Sequence, residues 1–149
     1  MATTAELLQQ YLVPNIAPET LKELVSLCEM RTYKAGEIIY REHEDSTYML
    51  IVHSGQVDVQ YLHANGRRET LDKCRTGDVL VWSALVSPCR TNSIGICRAE
   101  TEVLAVDGVK LRALCEKDTA FGYRMMSNIA SVIRRRLQAA RREIVALRE

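Results

Sequence analysis

The spacing of apolar positions changes twice along the chain. In residues 3–30, Leu7, Leu8 and Tyr11 recur at helical spacing. Pro14 interrupts, and Leu21, Leu24, Val25 and Cys28 share one face of a second helix that follows Pro18. From Thr32 to Val106 the period shortens to extended runs punctuated by Gly36, Gly55, Gly66 and Gly77. Within that region Gln56–Leu62 alternates: Val57, Val59 and Tyr61 fall on one side, and Gln56, Asp58 and Gln60 on the other. This predicts an antiparallel strand with one buried and one wet face. The Asn65-Gly66 pair that follows is a strong hairpin signal, so Val57–Leu62 pairs with Glu69–Cys74. Glu102–Val106 reads as the last strand. Many short strands at this spacing predict a small antiparallel β-barrel or jelly roll.

From Val109 the period is helical again. A short helix runs to Glu116, and a longer one starts after Asp118, whose side chain suits an N-cap. Along it Met126, Ile129, Ile133, Leu137, Ala140, Ile144 and Leu147 follow one another in steps of 3, 4, 4, 3, 4 and 3, close to the seam of a coiled coil. That stripe spans about 33 Å, more than one small barrel covers, so it predicts a parallel homodimer through this helix. The expected organisation is one mainly β domain with flanking helices. Residues 1–30 form N-terminal helices, 31–107 the barrel and 109–149 the C-terminal helices.

Composition narrows the function classes. A chain of 149 residues, 47% hydrophobic and 26% charged, is an ordinary soluble domain, and its net charge of +1 exerts no general pull on nucleic acid or membrane. The longest nearly apolar run, Val79–Val86, is far short of the ~20 residues of a spanning helix. The start, MATTAELLQQ, lacks the basic and apolar regions of a secretory signal, which predicts a cytoplasmic location. Five cysteines, at 28, 74, 89, 97 and 115, form no C-x-x-C pair and read as reduced fillers of apolar space. His43, His53 and His63 recur every ten residues but give no H-x-H pair with a nearby glutamate, so no metal is expected. Arg134, Arg135, Arg136, Arg141, Arg142 and Arg148 lack interleaved aromatics and read as a solvated face beside the seam, not a nucleic-acid surface. With no nucleophile beside a base, no phosphate-binding loop of the NTPase type and no telling carboxylate pair, the chain is not read as an enzyme.

The candidate chemistry lies in Gly77–Ser93, GDVLVWSALVSPCRTNS, where small residues, an arginine and several hydroxyl or amide groups suit a loop that holds an anion. Its order and surroundings resemble the cyclic nucleotide-binding domain, the sensor half of catabolite activator proteins. YKAGEIIYREHED resembles that family's opening strand and turn, and YMLIVHSGQVDV its central strand pair. RTGDVLVWSAL is similar to the G-D-x-F-G-E-x-A-L start of its phosphate-binding cassette, and RRRLQAARREI to its dimer helix. The likeness covers about residues 20–148.

The resemblance implies a jelly-roll sensor that binds cyclic AMP or cyclic GMP. The cassette's free amides and an arginine would hold the phosphate, and a glutamate the ribose. It points to Trp82, Ser83, Ala84, Leu85, Arg90, Thr91, Asn92 and Ser93 as ligand contacts. Four positions depart from the pattern. Val81 replaces the cassette glycine and Trp82 the ribose-reading glutamate, while Thr91 stands where arginine is expected, with Arg90 one residue early. His43 replaces the glycine of the opening turn, a place that requires positive φ. Losing the ribose acceptor and shifting the arginine would weaken nucleotide binding by about a hundredfold or more.

Two readings follow. One is a stand-alone dimeric sensor for a cyclic nucleotide or another small phosphorylated ligand. The other is a ligand-free dimeric interaction or scaffold protein with a degenerate cassette. Transcription control by these residues alone is not expected, because the DNA-reading domain of such regulators would begin about where the sequence ends.

Overall fold

A computed structural model describes residues 2–149. Two helices lead in. The first, α1 (Thr4–Tyr11), is capped by the Thr3 hydroxyl, which accepts from the Glu6 amide, and α2 (Pro18–Ser26) opens on proline, whose missing N–H costs nothing there. Cys28, which the helical pattern assigns to the second helix, instead opens β1 (Cys28–Tyr33) and pairs with Val106.

Eight strands then form two antiparallel four-stranded sheets, the layers of a jelly roll that does not close into a continuous barrel. The remaining strands are β2 (Ile38–Tyr40), β3 (Tyr48–Ser54), β4 (Val57–Leu62), β5 (Arg68–Cys74), β6 (Val79–Leu80), β7 (Ile94–Cys97) and β8 (Thr101–Asp107). One sheet runs β1-β8-β3-β6 and the other β2-β7-β4-β5. Strand β3 shows why its sequence is apolar without alternation. Met49 and Ile51 face the helices, whereas Leu50 and Val52 face the second sheet, so both sides are buried. Gly55 turns β3 into β4 at φ +92°, and a Cβ there would sit 2.5 Å from the Glu100 carbonyl oxygen.

The expected hairpin forms, with Val57 opposite Cys74, but its partner strand starts one residue early, with Leu62 opposite Arg68, the register shifts between Val59 and Gln60, and the loop is the five residues His63–Arg67, not a two-residue turn. The wet face expected of β4 is not wet: Asp58 and Gln60 are both buried. Arg98 covers Asp58, its Nε donating to Oδ2 at 2.6 Å, and Gln56 donates to Oδ1 at 2.9 Å. Burial pushes the Asp58 carboxyl upward, but these donors and the charges of Arg98 and Lys73 outweigh it and hold it below the usual carboxylate range.

Helices α3 (Gly108–Lys117) and α4 (Thr119–Leu147) complete the fold. Asp118 caps α4 as expected, accepting from the Phe121 amide at 3.1 Å, and it also accepts from the Thr20 hydroxyl at 2.5 Å. The first half of α4 is anchored by Phe121, Met125, Ile129 and Val132 in the chain's own core, whereas the second half is largely exposed. Ile129, expected on the dimer seam, is 1% exposed and packs internally instead.

Candidate functional site

Between the loop after β6, the second sheet and α4 lies a cavity of about 540 Å³. The loop begins with Val81 at φ +55°, ψ +39°, in the left-handed region. A β-branched residue there is strained by about 1–2 kcal/mol, so the backbone keeps the shape a glycine would supply although the side chain has changed. His43 does the same in the opening turn, at φ +60°. A single 3₁₀ turn, Trp82–Leu85, follows Val81.

The structure separates the expected ligand residues into two groups. Trp82, Ser83, Arg90, Thr91, Asn92 and Ser93 line the cavity. Ala84 and Leu85 are buried in the core beneath it, and the Ala84 amide is engaged by the Val81 carbonyl at 3.1 Å. Trp82 is half-buried, packing its indole against the core while forming part of the cavity wall, and the cavity stays open beside it.

Most polar groups of this wall bind the protein itself. Arg90 Nη1 lies 3.2 Å from Asp45 Oδ1, and Nη2 donates to the His43 carbonyl. Thr91 is buried: its hydroxyl accepts from the Glu44 amide at 3.0 Å and donates to the Arg41 carbonyl at 2.5 Å, which fastens the opening turn to the cassette. Ser83 Oγ is 2.7 Å from Ser46 Oγ.

The opposite wall comes from β2, β4, β5 and α4. Tyr40 reaches in from β2, its hydroxyl 3.1 Å from Ser93 Oγ, and Gly95 leaves room for the ring: a Cβ there would lie 2.8 Å from Tyr40 Cδ1. Burial pushes the Tyr40 phenol up to about 12 and raises Tyr61 as well, so both are neutral hydroxyls at ordinary pH.

From α4 comes Arg136, which the sequence reading leaves among solvated arginines. It is half-buried, and its Nη2 donates to the Val79 carbonyl at 2.7 Å and touches Cys74 Sγ at 3.5 Å. The signal for this was present: Arg136 follows Val132 by four and Ile133 by three, on the inward edge of the apolar stripe. Ile133, Leu137 and Ala140, expected on the dimer seam, also line the cavity.

The three histidines lie apart in function as well as position. His53 Nδ1 is 3.2 Å from the Tyr11 hydroxyl, His63 Nε2 is 2.5 Å from Glu69 Oε2, and His43 shapes its turn. The five cysteines are free thiols, with Cys28 pushed by burial to about 12 and Cys74 to about 11.

This architecture has recognisable relatives. The profile of the Cyclic nucleotide-binding domain matches residues 30–118. The chain belongs to the cyclic nucleotide-binding domain family. A cyclic nucleotide-binding domain from Methylobacillus flagellatus superposes with a TM-score of 0.80 at 15% identity, over 95% of this chain and 80% of that one. A protein of Geobacter metallireducens gives 0.79 at 22% identity, over 91% of this chain and 99% of the other. The Thermus thermophilus catabolite activator protein gives 0.71 at 24% identity, over 89% of this chain but only 61% of that protein. These likenesses establish the fold, a jelly roll with N-terminal helices and a long C-terminal helix. No relative was found among curated proteins. No helix of the described residues is long and apolar enough to cross a membrane.

Proposed function

We propose that this cyclic nucleotide-binding domain is a sensor, not a catalyst, and that it takes a cyclic nucleotide or another small phosphorylated ligand into the cavity between cassette and α4. The observation that carries this reading is the open volume of about 540 Å³ beside Trp82, a size suited to a small organic ligand. Trp82, Ser83, Arg90, Asn92 and Ser93 would contact the ligand from the cassette side. Ligand binding would then shift α4, which forms a wall of the same cavity, and a homodimer through its projecting half would pass the change to a partner protein. Exposed Leu137, Ile144 and Leu147, at 49%, 48% and 85%, support that dimer, because such a stripe is costly to leave in water.

Calorimetry with cyclic AMP and cyclic GMP tests the sensor: heat of binding is expected below millimolar ligand, and none at millimolar concentration would remove the nucleotide as its ligand. Sedimentation at micromolar protein should show a dimer. The second reading, a ligand-free scaffold, draws on the ion pair that holds Arg90 to Asp45 and on Trp82 at the acid position. It is the outcome if the chain is dimeric and binds neither nucleotide.

A further inference from the structure

Resting on the sensor reading, the geometry points to Arg136 as the residue that holds the ligand's anionic group, with the Tyr61, Tyr40 and Ser93 hydroxyls around it, so that the anion site has moved from the cassette to α4 and the second sheet. The first reason is the state of the two cavity arginines. Arg90 is exposed and ion-paired with Asp45, so an anion there competes with a carboxylate and with water. Arg136 is half-buried, and among the described residues no carboxylate is ion-paired with it. The cavity wall has two carboxylates, Asp72 and Glu143, and neither takes up that guanidinium. Its protein contacts are a carbonyl oxygen and a thiol, which use one of its two terminal amino groups and leave the other donors of the fork without a protein partner. A cation kept partly out of water without a counter-ion is unfavourable, and such groups concentrate where a ligand supplies the missing charge.

The second reason is what surrounds it. Tyr40, Tyr61 and Ser93 line the same cavity, and the positive charge of Arg136 reaches both phenols, opposing the rise that burial imposes on them. Neutral phenols and a serine hydroxyl beside a forked guanidinium are a donor set for a phosphate or carboxylate. The third reason is position: the Arg136 bond to the Val79 carbonyl ties α4 to β6, two residues before strained Val81. An anion drawn to Arg136 therefore acts on both the helix and the root of the cassette.

The ligand class is a small molecule with one compact anionic group and a planar body that can lie toward Trp82. A ribose is not required, since no glutamate stands at that position.

The test is titration of the full chain with cyclic AMP, cyclic GMP and phenyl phosphate, read by calorimetry and by emission of its only tryptophan, Trp82. At least one probe should bind the wild type. Arg136→Gln, which removes the charge and keeps a polar side chain, should weaken that probe at least tenfold and by more than Arg90→Gln does. Arg136→Lys should lose three- to tenfold, and Arg134→Gln, on the exposed side of the helix, less than twofold. If Arg136→Gln does not fold by circular dichroism, Arg136→Lys decides. Binding unchanged within twofold in Arg136→Lys, within threefold in Arg136→Gln, or a larger loss in Arg90→Gln overturns the assignment while leaving the sensor standing. Failure of every probe on the wild type removes both.

Discussion

The cassette wall and the α4 wall of the cavity carry similar groups, an arginine and hydroxyls each, and engage them differently. On the cassette side Arg90 answers Asp45, Thr91 knits the opening turn, and Ser83 meets Ser46. On the α4 side Arg136 has no ion pair, and the phenols of Tyr40 and Tyr61 are held neutral by burial beside it. The residue types of a binding motif therefore do not establish where binding happens; the partners that each group has already found must be counted first.

Three substitutions bear on this contrast. The largest effect is expected on the α4 side, at Gly95→Ala. The added methyl meets the Tyr40 ring, which its hydroxyl bond to Ser93 holds in place, so unfolding free energy should fall by about 3 kcal/mol. A loss below ~1 kcal/mol in a denaturant melt would mean that Tyr40 is not fixed in this wall. Next comes Thr91→Val on the cassette side. It leaves the Glu44 amide and Arg41 carbonyl without their hydroxyl partner and should cost about 2 kcal/mol. If the melt is unchanged, Thr91 is not a fastener and is free to serve a ligand, which removes the contrast between the walls. The smallest effect is expected at Val81→Gly. Relief of ~1–2 kcal/mol of left-handed strain is offset by the lost half-buried isopropyl group and by the freer unfolded chain, so the net change should stay within ~1 kcal/mol. A destabilisation above ~2 kcal/mol would show that Val81 is retained for packing against the second core cluster.

Much of the fold was legible because it depends on neighbours in sequence. The β4–β5 pairing, the Asp118 cap and the long last helix follow from alternation, turn chemistry and helical period, which act over a few residues. The boundary at Cys28 and the burial of Asp58 were not legible. One depends on a strand 78 residues later, through the pairing of Cys28 with Val106, and the other on Arg98 reaching across from beyond β7. The grouping of the candidate residues was legible in outline: Trp82, Ser83, Arg90, Thr91, Asn92 and Ser93 do meet at one cavity. Their roles were not, because a hydroxyl or guanidinium reads the same whether it faces a ligand or a carbonyl of its own chain.

By itself, then, the sequence determined the order of elements and the turn geometry that Val81 and His43 still obey. Those are consequences of backbone sterics and periodicity, which each short segment carries within it. Only the tertiary structure decided that Ile129 faces inward, that Arg90 pairs with Asp45, and that one of six arginines on α4 turns to the cavity. Those outcomes depend on which surfaces the folded chain brings together, because burial and pairing, not residue identity, set whether a charge is available to a ligand.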